Sequence, residues 1–144
     1  MSRFLSVCLL AGCGTVFLAA SHSPQRTSMP GDRANASKAT IEGLVRDVAC
    51  PIQNLDGTAT DLSLKCVREC IRGGSPLVIL TKDGHLYFPI SDKMPDTDQR
   101  QELTPFVGKY VRASGTVFER TGTHAIVITE IKEMKEIHLT TDEQ

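Results

Sequence analysis

A chain of 144 residues with 16 basic and 17 acidic side chains is close to neutral. That excludes the polybasic stripe of a nucleic-acid binder and the acidic block of a cation buffer. Aromatic residues make up only 5% and there is no Trp, so rings such as Tyr87, Phe88, Tyr110 and Phe118 are needed to fill a core before they can stack bases.

The chain opens with Met1-Ser2-Arg3 and an almost unbroken run of apolar and small residues from Phe4 to Ala20. This reads as a secretory signal over residues 1–21 and implies a periplasmic or secreted protein. The competing reading is a membrane span, but the run lies at the lower edge of what crosses a bilayer, and Gly12, Gly14 and Ala19-Ala20-Ser21 favour cleavage. Within the run, Leu10-Ala11-Gly12-Cys13 has the form of a lipobox. On that reading lipidated Cys13 anchors the protein in the cell envelope. Against it, the apolar stretch ahead of Cys13 is short and continues beyond it as Thr15-Val16-Phe17-Leu18. Cys8 is removed on either reading.

Residues 22–38 are rich in Ser, Pro, Gln, Thr and Gly with almost nothing apolar, which predicts a flexible linker. Residues 39–133 suit one small domain with one core. Thr40 to Val48 alternates well enough for a strand, with Gly43 at a bend and Cys50-Pro51 ending it. A polar loop, Gln53 to Ala59, leads to Thr60 or Asp61 as helix N-cap. Leu64, Val67 and Ile71 form the apolar stripe of a helix reaching Arg72, where Gly73-Gly74 and Pro76 stop it.

Leu77-Val78-Ile79-Leu80, the turn at Lys82-Asp83-Gly84 and the return His85 to Ile90 predict a hairpin. Asp96 to Phe106 connects through a short helix docked by Leu103, Phe106 and Val107. Lys109 to Arg120, bent at Gly115, and Thr123 to Lys132 form a second hairpin around Thr121-Gly122. Residues 134–144 are charged and predicted to form a flexible C-terminal tail.

Five strands with no room for crossover helices point to a mainly β fold: a small five-stranded OB-like antiparallel barrel with one or two short helices. The alternative is an open α+β sheet. Leu44, Val78, Ile79, Val111, Val117, Ile126 and Ile128 are expected in one barrel core, with Val67 and Ile71 docking the first helix onto it.

The pattern Gly43-x-Val45-x-Asp47-x-x-Cys50, then Cys66-x-x-x-Cys70 with Gly74-x-Pro76-Leu77, Asp83-Gly84-x-Leu86-Tyr87 and Gly108-Lys109-x-Val111-x-x-x-Gly115-x-Val117 resembles a group of small exported bacterial proteins with OB-like barrels, mostly without an assigned function. The resemblance covers residues 43–132, and the cysteine spacing is its most specific part. It implies a fold and a shared site rather than an activity. Members often carry a His three residues before the first helical cysteine, where this chain has Ser63, so no His ligand is implied there.

Cys50, Cys66 and Cys70 are the candidate site. On a helix Cys66 and Cys70 share a side, but i, i+4 Cβ atoms ~5–6 Å apart are poorly placed for a bond to each other. One reading is a disulfide of Cys50 with Cys66 or Cys70, which closes a loop worth ~3 kcal/mol and makes a stapled module that binds a peptide, a glycan or a protein partner. A second is a three-thiolate site for Cu(I) or Zn(II), with Asp47, His85 or His124 as the candidate fourth ligand; His22 and His138 lie in the terminal segments. A third is intermolecular thiol chemistry.

Catalytic signatures are missing: no G-x-S-x-G, H-E-x-x-H or P-loop is present. C-x-x-x-C has one residue too many for thioredoxin-like exchange or haem attachment. Asp83-Gly84-His85 is a turn signal first, and Asp92, Asp96 and Asp98 are out of register with a calcium loop. The expected class is therefore a non-catalytic binding module of the cell envelope.

Overall fold

The computed structural model describes residues 35–53 and 61–141; the predicted signal segment, with Cys8 and Cys13, lies outside them. Five strands close into a barrel: β1 (Asn35–Asp47), β3 (Leu77–Thr81), β4 (Leu86–Pro89), β5 (Tyr110–Arg120) and β6 (Thr123–Glu133), in the order β1-β3-β4-β6-β5. Neighbours are antiparallel except β4 with β6, whose parallel pairing closes the barrel. This is the OB-like arrangement expected from the sequence; the alternative of an open sheet does not hold.

Long β1 is the common wall. Its first part pairs with β5, from Asn35 opposite Glu119 to Leu44 opposite Tyr110, and its last part, Gly43 to Asp47, pairs with β3. The strand therefore begins within the predicted linker and stops before Cys50, which sits on a short helix, α1 (Ala49–Gln53). Gly115 marks the predicted bend: the β5–β6 register shifts between Ser114 and Gly115, and a Cβ at Gly115 would overlap the Val127 carbonyl.

The β1–β3 wall is apolar on both faces. Inside the barrel, Ile41, Val45, Leu77, Ile79, Val111, Ala113 and Ile126 form one buried cluster, with Val117 and Ile128 against it. Leu103, from α3 (Arg100–Leu103), is fully buried in the same cluster, and Phe106 and Val107 pack beside it, as the sequence predicts. Outside the barrel, Leu44, Leu80 and Tyr110 are covered by Leu62, Val67 and Met134. Leu44 thus belongs to an outer core and not to the barrel interior, because its neighbours Gly43 and Val45 take the inward positions of a period-2 strand. Val67 docks α2 (Leu64–Arg72) onto this outer core, while Ile71 reaches both clusters.

Two expectations are corrected here. The helix N-cap is Ser63 rather than Asp61, the other expected cap, Thr60, lying outside the described residues; Asp61–Leu62 is instead a short strand, β2, paired in parallel with β7 (Thr140–Thr141). The segment after Glu133 is not a loose tail over its described length. Met134 is buried, and Ile137 and Leu139 pack on the outer core. Three apolar residues spaced among charges have nothing to bury against locally, so only the outward face of β1–β3 gives them a reason to order.

Candidate metal centre

Three backbone devices bring the cysteines together. Asp47, the last residue of β1, accepts the Cys50 N–H through Oδ2 at 2.9 Å and sets α1 in place directly after the strand. Ser63 is the N-cap of α2, with extended backbone, and its Oγ accepts the Cys66 N–H at 3.3 Å. At the other end, Gly74 takes a positive φ of 96°. Its N–H then meets the Ile71 carbonyl while the Ser75 N–H meets the Cys70 carbonyl, each at 3.0 Å, closing a Schellman turn. Each cysteine is therefore held through its own main chain by a neighbour three to five residues away.

The sulfurs converge. Cys50 Sγ lies 3.3 Å from Cys66 Sγ and 3.8 Å from Cys70 Sγ, and all three are within 4.8 Å of one another. None is bonded: the three cysteines are free. The expected disulfide of Cys50 with Cys66 or Cys70 is thereby overturned, since an S–S bond needs ~2.05 Å. The physical reason is the shared approach to two sulfurs: Cys50 faces both helical thiols, and commitment to one would pull it from the other. A tetrahedral ion with sulfurs ~2.3 Å away holds them ~3.8 Å apart, so the observed spacing is that of a ligand set. This cluster can coordinate a metal ion.

Cys66 is exposed, and Cys50 and Cys70 are half-buried, so the site opens at the surface. Burial, with added contributions from the Cys66 thiol and Asp47, pushes the Cys50 thiol up to about 12. For Cys70 the hydrogen bond with Cys50 favours the thiolate, but desolvation and the Asp47 charge outweigh it and the thiol is raised. Without an ion, Cys50 and Cys70 therefore hold their protons, which an incoming cation must displace.

Of the candidate fourth ligands, only Asp47 lies near the sulfurs, and its Oδ2 is committed to the Cys50 N–H. Its Oδ1 is buried without a hydrogen bond, 3.9 Å from Arg46 Nη2. Among the described residues, no carboxylate or imidazole joins the three sulfurs within that 4.8 Å group. His85 and His124 sit elsewhere: His85 follows the β3–β4 turn and His124 opens β6 opposite Tyr87. The cysteines lie at the Leu77 end of β3, so the length of that strand, ~16 Å for five residues, separates the two places. His138 is exposed.

Two contributors were not singled out from sequence, the Ser63 cap and the Ser75 amide. The signal for the first was present, since both Asp47-x-x-Cys50 and Ser63-x-x-Cys66 place a capping oxygen three residues before a cysteine. Neither the Asp96 nor the Asp98 side chain is a loose ligand: Asp96 accepts the Ser91 N–H, and Asp98 is forked to Arg100. Tyr110 is buried in the outer core, and Tyr87, Phe88 and Phe118 are half-buried. No protein-family model matches this chain, and no curated protein and no solved structure matches it.

Proposed function

We propose that this is an exported, non-catalytic binding module of the cell envelope that holds one soft metal ion, Cu(I) or Zn(II), on Cys50, Cys66 and Cys70. The observation that carries this reading is the convergence of three unbonded sulfurs on one surface patch, each fixed by its own backbone hydrogen bond. Soft thiolates select these metals over Mg or Ca. With no fourth ligand in the group among the described residues, the ion has an open position at the surface, the arrangement of a site from which metal is handed on by ligand exchange. The apolar run from Phe4 to Ala20 supports export, and Cys13 offers a lipid anchor if its lipobox is used.

Thiol counting with and without chelator tests the reading. Protein isolated under metal-replete, reducing conditions should carry about one equivalent of Cu or Zn, and chelation should unmask three thiols that C50S, C66S and C70S variants lose. Three thiols equally reactive before and after chelation, with no bound metal after titration with Zn(II) or Cu(I), would overturn it.

A further inference from the structure

At the end of the barrel away from the sulfurs, two imidazoles meet. His85 and His124 lie edge to face, with ring centroids 4.6 Å apart and planes at 61°. His85 immediately precedes β4 and His124 lies on β6, and the parallel β4–β6 pairing that closes the barrel brings them together. The Tyr87 ring packs against His124 at 5.1 Å and supports it from the sheet. On the other side, Asp83 Oδ2 is 3.5 Å from His85 Nε2. Asp83 is itself held by the Thr81 hydroxyl, which keeps its carboxyl below the usual range and therefore ionised. Glu119 stands opposite His124 in the β5–β6 register and adds a second carboxylate to the neighbourhood.

A carboxylate facing one ring nitrogen of a histidine fixes the proton there and leaves the other nitrogen as a lone-pair donor, the usual outer-sphere support of a metal-bound imidazole. Two imidazoles with anionic neighbours suit a borderline divalent cation, and the affinity order of such sites peaks at Cu(II). We infer that His85 and His124 form a second cation site, for Cu(II) or a similar divalent ion such as Ni(II) or Zn(II), with Asp83 orienting His85. The edge-to-face contact must open for both nitrogens to reach one ion at ~2.0–2.1 Å. His85 has the freedom to turn, since half of its side chain is exposed. The site differs from the thiol centre in ligand chemistry and in place, and it stands whether or not the cysteines bind metal.

The test uses the full chain carrying C8S/C13S/C50S/C66S/C70S, so that thiols neither capture nor reduce the probe, and Cu(II) alone as that probe. Electron paramagnetic resonance should show one Cu(II) with nitrogen coupling from two imidazoles. H85A and H124A should each weaken binding at least ~10-fold and D83N by about the same factor, the range for removing outer-sphere support, while H22A/H138A leaves it unchanged. A second measurement needs no histidine substitution: sub-stoichiometric Cu(II) should broaden the amide resonances of residues 83–87 and 122–126 selectively. Broadening centred on His22 or His138, or affinity unchanged in both H85A and H124A, would overturn the assignment.

Discussion

Asp47 accepts the Cys50 N–H at 2.9 Å while its own side chain is wholly buried, so the last residue of β1 places the first sulfur of the site. The carboxylate acts through the main chain rather than as a ligand. D47A should therefore weaken Zn(II) binding ~10–100-fold, as loss of outer-sphere support does, and cost about 1–3 kcal/mol of stability by leaving the Cys50 amide without its acceptor. D47N keeps an acceptor oxygen and should bind within a few-fold of the parent. Competition against a chromophoric chelator reads both; equal losses in D47A and D47N would show that the charge, not the hydrogen bond, matters.

Metal loading should be strongly pH-dependent. The Cys50 thiol, pushed up to about 12, and the raised Cys70 thiol are protonated at neutral pH, so binding displaces protons and affinity rises with pH. Titration with Zn(II) in weak buffer should release two to three protons per ion; release of less than one contradicts the proposed ligand set. For the metal-free protein the sign is opposite. An unfolded thiol ionises near pH ~8.5, whereas folded Cys50 keeps its proton to much higher pH. The resulting stabilisation is complete below ~8.5 and is lost as pH climbs toward about 12. Urea midpoints of the metal-free protein should fall across that window, and C50S should flatten the fall.

Placing alanine at Gly115 sets a methyl group against the Val127 carbonyl, which belongs to the neighbouring strand and cannot swing aside as a side-chain end could. G115A should cost about 1–3 kcal/mol, read as a lower denaturation midpoint with the slope unchanged.

Met134 seals the outer core over Leu44, Leu80 and Tyr110. M134A should destabilise by about 2–5 kcal/mol. Truncation after Glu133 should go further, removing Ile137, Leu139 and the β7 partner of β2 as well, and should raise binding of a hydrophobic dye. A truncated chain as stable as the parent would return residues 134–141 to the status of a loose tail.

Much of this was legible from local chemistry. Thr121-Gly122, Lys82-Asp83-Gly84 and the Gly73-Gly74 stop are turn signals with fixed backbone demands, and period-2 patterns around them supplied the barrel strands. The convergence of Cys50 with Cys66 and Cys70 followed from a strand end and one helix face. What escaped depended on partners distant in sequence. Met134, Ile137 and Leu139 make sense only against Leu44 and Leu80, and Asn35 to Lys38, polar and without a pattern, become a strand only because β5 offers them a ladder. The disulfide expectation failed for a different reason: spacing says which thiols are near, but not whether one thiol stands between two others.

The pairing of Asn35 with Glu119 also dictates an order of events. β1 is the first described strand, yet the ladder along its leading half is with β5, near the end of the domain. Loop closure over most of the chain must precede that contact, so the β3–β4 and β5–β6 hairpins can form early while the start of β1 waits. The strand that leads the domain is the one that completes it, and its leading amides, joined through β5, should be the first of the barrel to exchange with solvent.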